Sequence, residues 1–334
     1  MGRHIAVVTP VLDDWESFAA LVTEISTRFT GADLKIDIVA LDDGSTESFD
    51  ASRLALPPET CIAKIEILHL AVNLGHQRAI AVGLCAVAAR DDIDAVVVMD
   101  SDGEDRPVEI AALLQASHRQ PGHIVFAERA KRSESRSFRL AYFVYRHVFR
   151  ALTGRTISFG NFVLIPLPAV RRLVHMPELW NHLAATIMRS RLRYTAVPTA
   201  RGTRYAGRST MNFVSLIVHG LSAMSVYTDT IFVRILLAAG LVAGASLAGI
   251  LAVTIIRFAT ALAIPGWATT MVGDLLIILL QTTVVMVATS LMMLAGRSNR
   301  PIVPIVDSRM FIARRERCEL RLARAEPALE RAVL

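Results

Sequence analysis

Cysteine is scarce in this chain of 334 residues: Cys61, Cys85 and Cys318 are the only three, and none stands at metal-binding or redox spacing from another. That excludes a disulfide framework and fits a reducing compartment. Internal repeats and long low-complexity segments are also missing. Charge is absent from two long runs, "ILLAAGLVAGASLAGILAVTII" between Arg234 and Arg257, and "LLIILLQTTVVMVATSLMMLAG" between Asp274 and Arg297. As a helix, each is long enough to cross a hydrocarbon layer of about 30 Å. The loop between them, "FATALAIPGWATTMVG", has no Lys or Arg, whereas both outer flanks are rich in Arg. The positive-inside rule then gives a hairpin with both chain ends in the cytoplasm, and Pro265 and Trp267 suit its far interface. The first ten residues read as a strand, so no cleaved signal peptide is expected.

What is present agrees. A hydrophobic content of 53% and a mean hydropathy of +0.45 are too high for an ordinary soluble enzyme. The net charge is +6 and the pI near 9.6, with basic residues gathered at 129–155, at 189–208 and beyond 297. Next to a membrane hairpin, such patches suit anionic headgroups or a phosphorylated substrate, and no nucleic-acid partner is expected.

The first half alternates apolar runs with helical stretches: "HIAVVTPV", a helix from Trp15 to Phe29, "KIDIVALDDGS", "KIEILHL", a helix around Gln77 to Ala89, and "DAVVVMD". This order predicts βαβ units in a mainly parallel sheet covered on both faces, with ligands bound at the carboxyl ends of the strands. Further on, "LRYTAVPT" reads as a strand leading into a basic loop, in which Gly202 and Gly207 let the backbone pass close to a ligand. "NFVSLIVHGLSAMSVYT" has apolar residues at near-helical spacing and reads as an amphipathic helix along the membrane surface, or as a plain connector.

The stretch "VVVMDSDGED", residues 96–105, ends a buried strand by crowding Asp100, Asp102, Glu104 and Asp105 together. Carboxylates this close repel one another, so something positive belongs among them. A solvated loop after a strand is the plain alternative. The Asp-x-Asp spacing also suits Mg²⁺ or Mn²⁺, hard cations that share carboxylates with substrate phosphates.

With these motifs the sequence resembles the family 2 inverting glycosyltransferases, and among them the polyprenyl-phosphate glycosyltransferases that include dolichyl-phosphate mannose synthase. The resemblance covers roughly residues 4–215 and implies a GT-A type nucleotide-sugar-binding α/β (Rossmann-like) domain followed by two transmembrane helices. The division it gives is a catalytic domain at 1–210, a juxtamembrane helix at 211–230, transmembrane helices at 231–257 and 274–296, and a basic cytoplasmic tail at 297–334. "VVTPVLDD" matches the family's Pro-x-Tyr-Asn-Glu loop, making Pro10 and Asp14 donor-binding positions, with Leu12 in place of Tyr and Asp13 in place of Asn. "LDDGS" matches the nucleoside loop, with Asp42 as the nucleoside contact and Asp43 as its support. Asn73 and Gly75 shape the Asn-x-Gly loop, where His76 reads as structural. Asp100 and Asp102 correspond to the metal and ribose carboxylates, with Glu104 also facing the metal. "GNF" carries Asn161 where relatives often have a catalytic Asp, and an amide cannot act as a general base. Asn161 is left to position sugar or acceptor. "TRYAGRSTM" matches the Arg-x-Ala-Gly-x-Ser loop. There Arg204 and Ser209 would meet donor phosphates, with Arg201 and Arg208 nearby and Arg129 and Arg132 lining the site from the basic linker.

The resemblance implies Mg²⁺- or Mn²⁺-dependent sugar transfer from a nucleotide-diphosphate donor, with a UDP-sugar favoured over a GDP-sugar, to a polyprenyl phosphate. It places the protein in the inner cell membrane as a multi-pass protein with the catalytic domain and C-terminus cytoplasmic. The alternatives are a transferase with another lipid or a protein acceptor, and a non-catalytic nucleotide-sugar-binding membrane protein. A processive synthase would carry Gln-x-x-Arg-Trp and more spans, both missing here. Homo-oligomer formation and the identity of the sugar are left open.

Overall fold

The computed structural model describes residues 3–54, 56–129, 136–156, 159–206, 213–260 and 264–318. The four apolar runs of the first half form strands β1 (Arg3–Val11), β2 (Leu34–Asp42), β3 (Ile62–Leu70) and β4 (Ala95–Val98). They pair in parallel, with β1 between β2 and β4, and β3 outside β2. Strands β5 (Ile124–Arg129), β6 (Val163–Pro166), β7 (Tyr194–Thr199) and β8 (Ile312–Cys318) complete a sheet of order β7-β5-β6-β4-β1-β2-β3-β8. β6 runs antiparallel to β4 and β5, and β8 antiparallel to β3. The mainly parallel sheet expected from the sequence is thus a mixed one.

Alternation along β1 and β2 explains the two cores. Ala6, Val8, Val39 and Leu41 pack with α2 (His76–Ala88), α5 (Leu167–Leu173) and α6 (Leu183–Arg189) on one face. Ile5, Val7, Ile36 and Ile38 pack with α1 (Trp15–Arg28) and α3 (Glu109–Arg119) on the other. Burial pushes the thiols of Cys61 and Cys318 up to about 11 and that of Cys85 to about 12. All three are free, and at neutral pH they are protonated and poor nucleophiles.

The described residues within 1–136, 157–226 and 302–334 form one compact unit, and those within 137–156 and 227–301 a second. The second holds α8 (Thr228–Ala259) and α9 (Trp267–Ser298), each 32 residues long and mostly exposed, and apolar enough to cross a membrane by length and composition. It also holds most of α4 (Arg136–Thr153), whose Phe149 meets Tyr227 edge-on at 6.1 Å. The first unit contains α7 (Phe213–Ser225), with Ile217, Val218 and Leu221 exposed along one side. The stretch read as a tail is not all tail: after α10 (Pro304–Asp307), residues 312–318 add the edge strand β8 to the sheet.

At the amino ends of the strands, Asp37 is buried within β2. Arg90 donates from Nη2 to Asp37 and, at 2.5 Å, to Asp92, and His4 Nε2 lies 3.1 Å from Asp37. The ligand atoms of His4, Asp37 and Asp92 lie within 4.8 Å of one another, but the guanidinium already supplies their positive charge. The hydrogen bonds from Arg90 hold the Asp92 carboxyl down at about 2. Removing one partner of a buried ion pair typically costs about 3–5 kcal/mol. Arg90→Ala is therefore expected to lower the thermal midpoint sharply while the site at the opposite end of the sheet keeps its composition; an unchanged melting curve would refute this account.

Candidate active site

Strand direction gathers the chemistry at one end of the sheet. The carboxyl ends of β1, β2, β3 and β4 carry Pro10, Asp42, the 73–76 loop and Asp100, and antiparallel β6 brings Asn161 to the same edge. Neighbouring strands are about 4.8 Å apart, so loops distant in sequence meet there.

The carboxylate loop is clamped to the loop after β7. Arg201 Nη2 donates to Glu104, and Arg204 reaches Asp102 Oδ2 at 2.6 Å and Glu104 Oε1 at 3.4 Å. The backbone joins in: Gly202 N donates to Glu104 O at 3.0 Å, and Tyr205 N to Asp102 O at 2.9 Å. The positive charge demanded by the cluster thus comes from two arginines 97 and 100 residues further along. Asp102 Oδ1 also accepts Glu104 N at 2.9 Å, and Asp105 Oδ2 accepts Asp100 N at 3.0 Å. Tyr205 donates to Glu24, and burial followed by that carboxylate raises its phenol. The two loops approach so closely that a Cβ on Gly202 would stand 2.0 Å from Gly103 O. Gly202→Ala is therefore expected to separate them, with donor affinity falling at least about tenfold. Unchanged nucleotide affinity, read by calorimetry, would show that the clamp is not needed.

A second network surrounds Asp100. Leu183 N can only donate, and it fixes Gln77 Oε1 at 2.8 Å. Gln77 Nε2 then donates to Asn161 Oδ1 at 3.0 Å, and Asn161 Nδ2 to His76 Nε2 at 2.8 Å. His76 consequently accepts at Nε2 and carries its hydrogen on Nδ1. His76 Nε2 lies 3.3 Å from Asp100 Oδ1. Carboxylate oxygens are the ligands that Mg²⁺ and Mn²⁺ take, so Asp100 and Asp102 fit a small divalent cation. The sequence reading ranked His76 as structural; the structure brings it to the carboxylate cluster. Glu104, expected to face the cation, instead has its carboxylate on Arg201 and Arg204.

Two adjacent aspartates at the end of β2 have different tasks. Asp42 accepts Ser45 N at Oδ1 (2.8 Å) and faces His69 Nδ1 at Oδ2 (2.7 Å). Asp43 accepts Leu74 N at 2.7 Å and Gly75 N at 2.9 Å, bracing the loop that carries Asn73. Burial raises its carboxyl above the ordinary value, against the pull of those two N–H groups. Gly75, at φ 87°, starts α2. Pro10 O accepts Ser101 Oγ at 3.2 Å. Asp14 stands at the N-cap of α1, where its backbone carbonyl rather than its side chain caps the helix. Asp13, at φ 49°, is bound by Thr46 N and Oγ1. Leu12 is 48% exposed. Arg129 ends β5 beside Thr199. Arg132, Gly207, Arg208 and Ser209 lie outside the described residues.

The family model for "Glycosyl transferase family 2" matches residues 6–175, just over half of the chain. The chain belongs to glycosyl transferase family 2. Its mixed sheet is that of the GT-A type α/β fold. This family 2 protein is similar to the undecaprenyl-phosphate 4-deoxy-4-formamido-L-arabinose transferase of Erwinia tasmaniensis, with 26% identity over 224 residues, covering 64% of this chain and 65% of that one. To the protein of the same name from Serratia proteamaculans it is 27% identical over 212 residues, covering 62% and 58%. The matches span less than two thirds of these relatives' own length. Among solved structures, it is similar to glucosyl-3-phosphoglycerate synthase from Mycobacterium tuberculosis in complex with Mn²⁺, UDP-glucose and phosphoglyceric acid. The identity is 18%, the TM-score 0.46, and the coverage 70% of this chain and 80% of that one.

Proposed function

We propose that this family 2 protein transfers one sugar from a nucleotide-diphosphate donor, a UDP-sugar in preference to a GDP-sugar, to a polyprenyl phosphate at the cytoplasmic face of the inner membrane. The observation that carries the reading is the clamped carboxylate loop, in which Asp100, Asp102, Arg201 and Arg204 share one strand-end site. Family membership and relatives named for undecaprenyl phosphate support it.

In this mechanism an oxygen of the acceptor phosphate attacks the anomeric carbon from the face opposite the diphosphate. The bond from that carbon to the leaving oxygen breaks, and the configuration inverts. Asp42 accepts a hydrogen bond from the nucleoside base. Asp100 and Asp102 would hold Mg²⁺ or Mn²⁺, which offsets negative charge on the departing diphosphate when bound. Arg204 and Arg201, with Ser209 and the arginines of the basic linker, bind phosphate oxygens through planar, multi-donor forks. Asn161 orients His76 and has no proton to remove. An acceptor phosphate has a second pKa near roughly 6 and already attacks as an anion.

The chain's course supports a hairpin in the bilayer. It leaves the first unit after Val226 and rejoins it at Ile302, and β8 sits in the same sheet as β3. Two crossings by α8 and α9 satisfy that connectivity, as the charge asymmetry of their flanks requires. The exposed Ile217, Val218 and Leu221 suit contact with the same interface. A site held there meets an acceptor whose head is ionic and whose tail is insoluble.

The test is nucleoside diphosphate release by the detergent-purified full chain, across UDP- and GDP-sugars with Mg²⁺ or Mn²⁺, with and without undecaprenyl phosphate. Release that needs both the metal and the lipid phosphate is expected for one donor. Release indifferent to the lipid would overturn the acceptor assignment.

A further inference from the structure

Three residues from three neighbouring strands stand in one row across the sheet: Asp42 in β2 is the register partner of His69 in β3, and His69 of Arg314 in β8. Their side chains are connected. A carboxylate can only accept, so His69 Nδ1 donates to Asp42 Oδ2 across 2.7 Å. His69 Nε2 lies 3.2 Å from Glu316 Oε2 and 3.0 Å from Arg314 Nη2, and those two β8 residues pair with each other at 2.9 Å. Asp42 is 6% exposed and the His69 side chain 13%, so this pair is largely shielded from water, while Glu316 and Arg314 at its outer end are 36% and 59% exposed. Ser45 N holds the other oxygen of Asp42. Both oxygens are therefore oriented before any ligand arrives, and each retains capacity for a further donor.

We propose that β8 is a working part of the nucleoside pocket: Glu316 anchors Arg314, Arg314 donates to Nε2 of His69, and His69 presets Asp42 to accept a base N–H. The proposal rests on the reading that Asp42 faces the nucleoside. An acceptor-only group pairs with a base edge that presents N–H, as the ring N–H of uracil and of guanine does. Presetting matters because a side chain already ordered loses no further freedom when the ligand binds. His69, Arg314 and Glu316 are positioning residues, acting through Asp42.

The experiment is calorimetric titration of the full chain in detergent with UDP and Mg²⁺, without acceptor, accompanied by a thermal melt of each variant. His69→Leu is expected to weaken UDP binding about tenfold, with the donor KM rising in step and kcat held within about twofold. His69→Asn, whose amide can still donate to Asp42, is expected to recover most of that loss, and Glu316→Ala to weaken UDP about threefold. Equal losses for His69→Leu and His69→Asn, or wild-type affinity in His69→Leu, would overturn the proposal while leaving the donor reading intact. A wild-type chain that binds neither UDP nor GDP would overturn the reading of Asp42, and the proposal with it.

Discussion

Asp102→Asn is expected to lower sugar transfer by roughly 10²–10³-fold with the fold retained, the range seen when one preorganised electrostatic group is removed from a reaction centre. The change is isosteric, and its amide oxygen can still accept Glu104 N, so the turn from 102 to 105 survives. What disappears is a negative charge with two duties. Asp102 is the counter-charge of Arg204 at 2.6 Å and, in the proposed reaction, a ligand of the cation beside Asp100. Turnover measured across a Mg²⁺ titration, together with Mn²⁺ binding by electron paramagnetic resonance, separates these duties. Loss of both metal affinity and rate is expected. Near-normal turnover, or full Mn²⁺ affinity with lost turnover, would remove Asp102 from the metal site.

The βαβ core was legible because its signal is local. Strands such as "DIVALDD" and "AVVVMD" end in acidic loops, and apolar periodicity plus strand polarity is enough to gather those loops at one edge. The two long apolar helices were legible for the same reason, since the signal of an uncharged run is local. The partners of the acidic residues were not legible. Arg204 lies 100 residues from Glu104, and nothing in either segment states that the loops cross at Gly202 and Gly103. The role of His69 depends on β3 registering against β2 at Asp42 and on β8 joining the sheet from beyond the two long apolar helices. The "ARRERC" of β8 has too few apolar residues to stand out as a strand. It is an edge strand, and its Arg314, Arg315 and Arg317 are all exposed. His76 was undervalued because its orientation is set by a chain of amides from Leu183 through Gln77 and Asn161, residues 106 and 84 positions apart in the sequence. That chain also gives Asn161 a task that an Asp could not perform: a carboxylate there could not donate to His76 Nε2.

Arg204→Ala is expected to cut kcat/KM for the donor by about 10²-fold or more, and Arg204→Lys to restore little of it. The guanidinium contacts two carboxylates from different positions, Oδ2 of Asp102 and Oε1 of Glu104, and a planar fork can redirect part of its donor set to phosphate oxygens while keeping an anchor. An ammonium is a point charge without that geometry. Removing the side chain also leaves Asp102 and Glu104, 14% and 15% exposed, with less compensating charge, although Arg201 still holds Glu104. The loop should therefore stay closed through Arg201 and the backbone bonds of Gly202 and Tyr205, which makes the loss one of phosphate handling rather than of folding. The measurement that decides is UDP affinity beside uridine affinity. Arg204→Ala should weaken UDP at least about tenfold and leave uridine unchanged. An equal loss for both ligands would mean that Arg204 shapes the loop, and unchanged affinity with unchanged rate would take it out of the site.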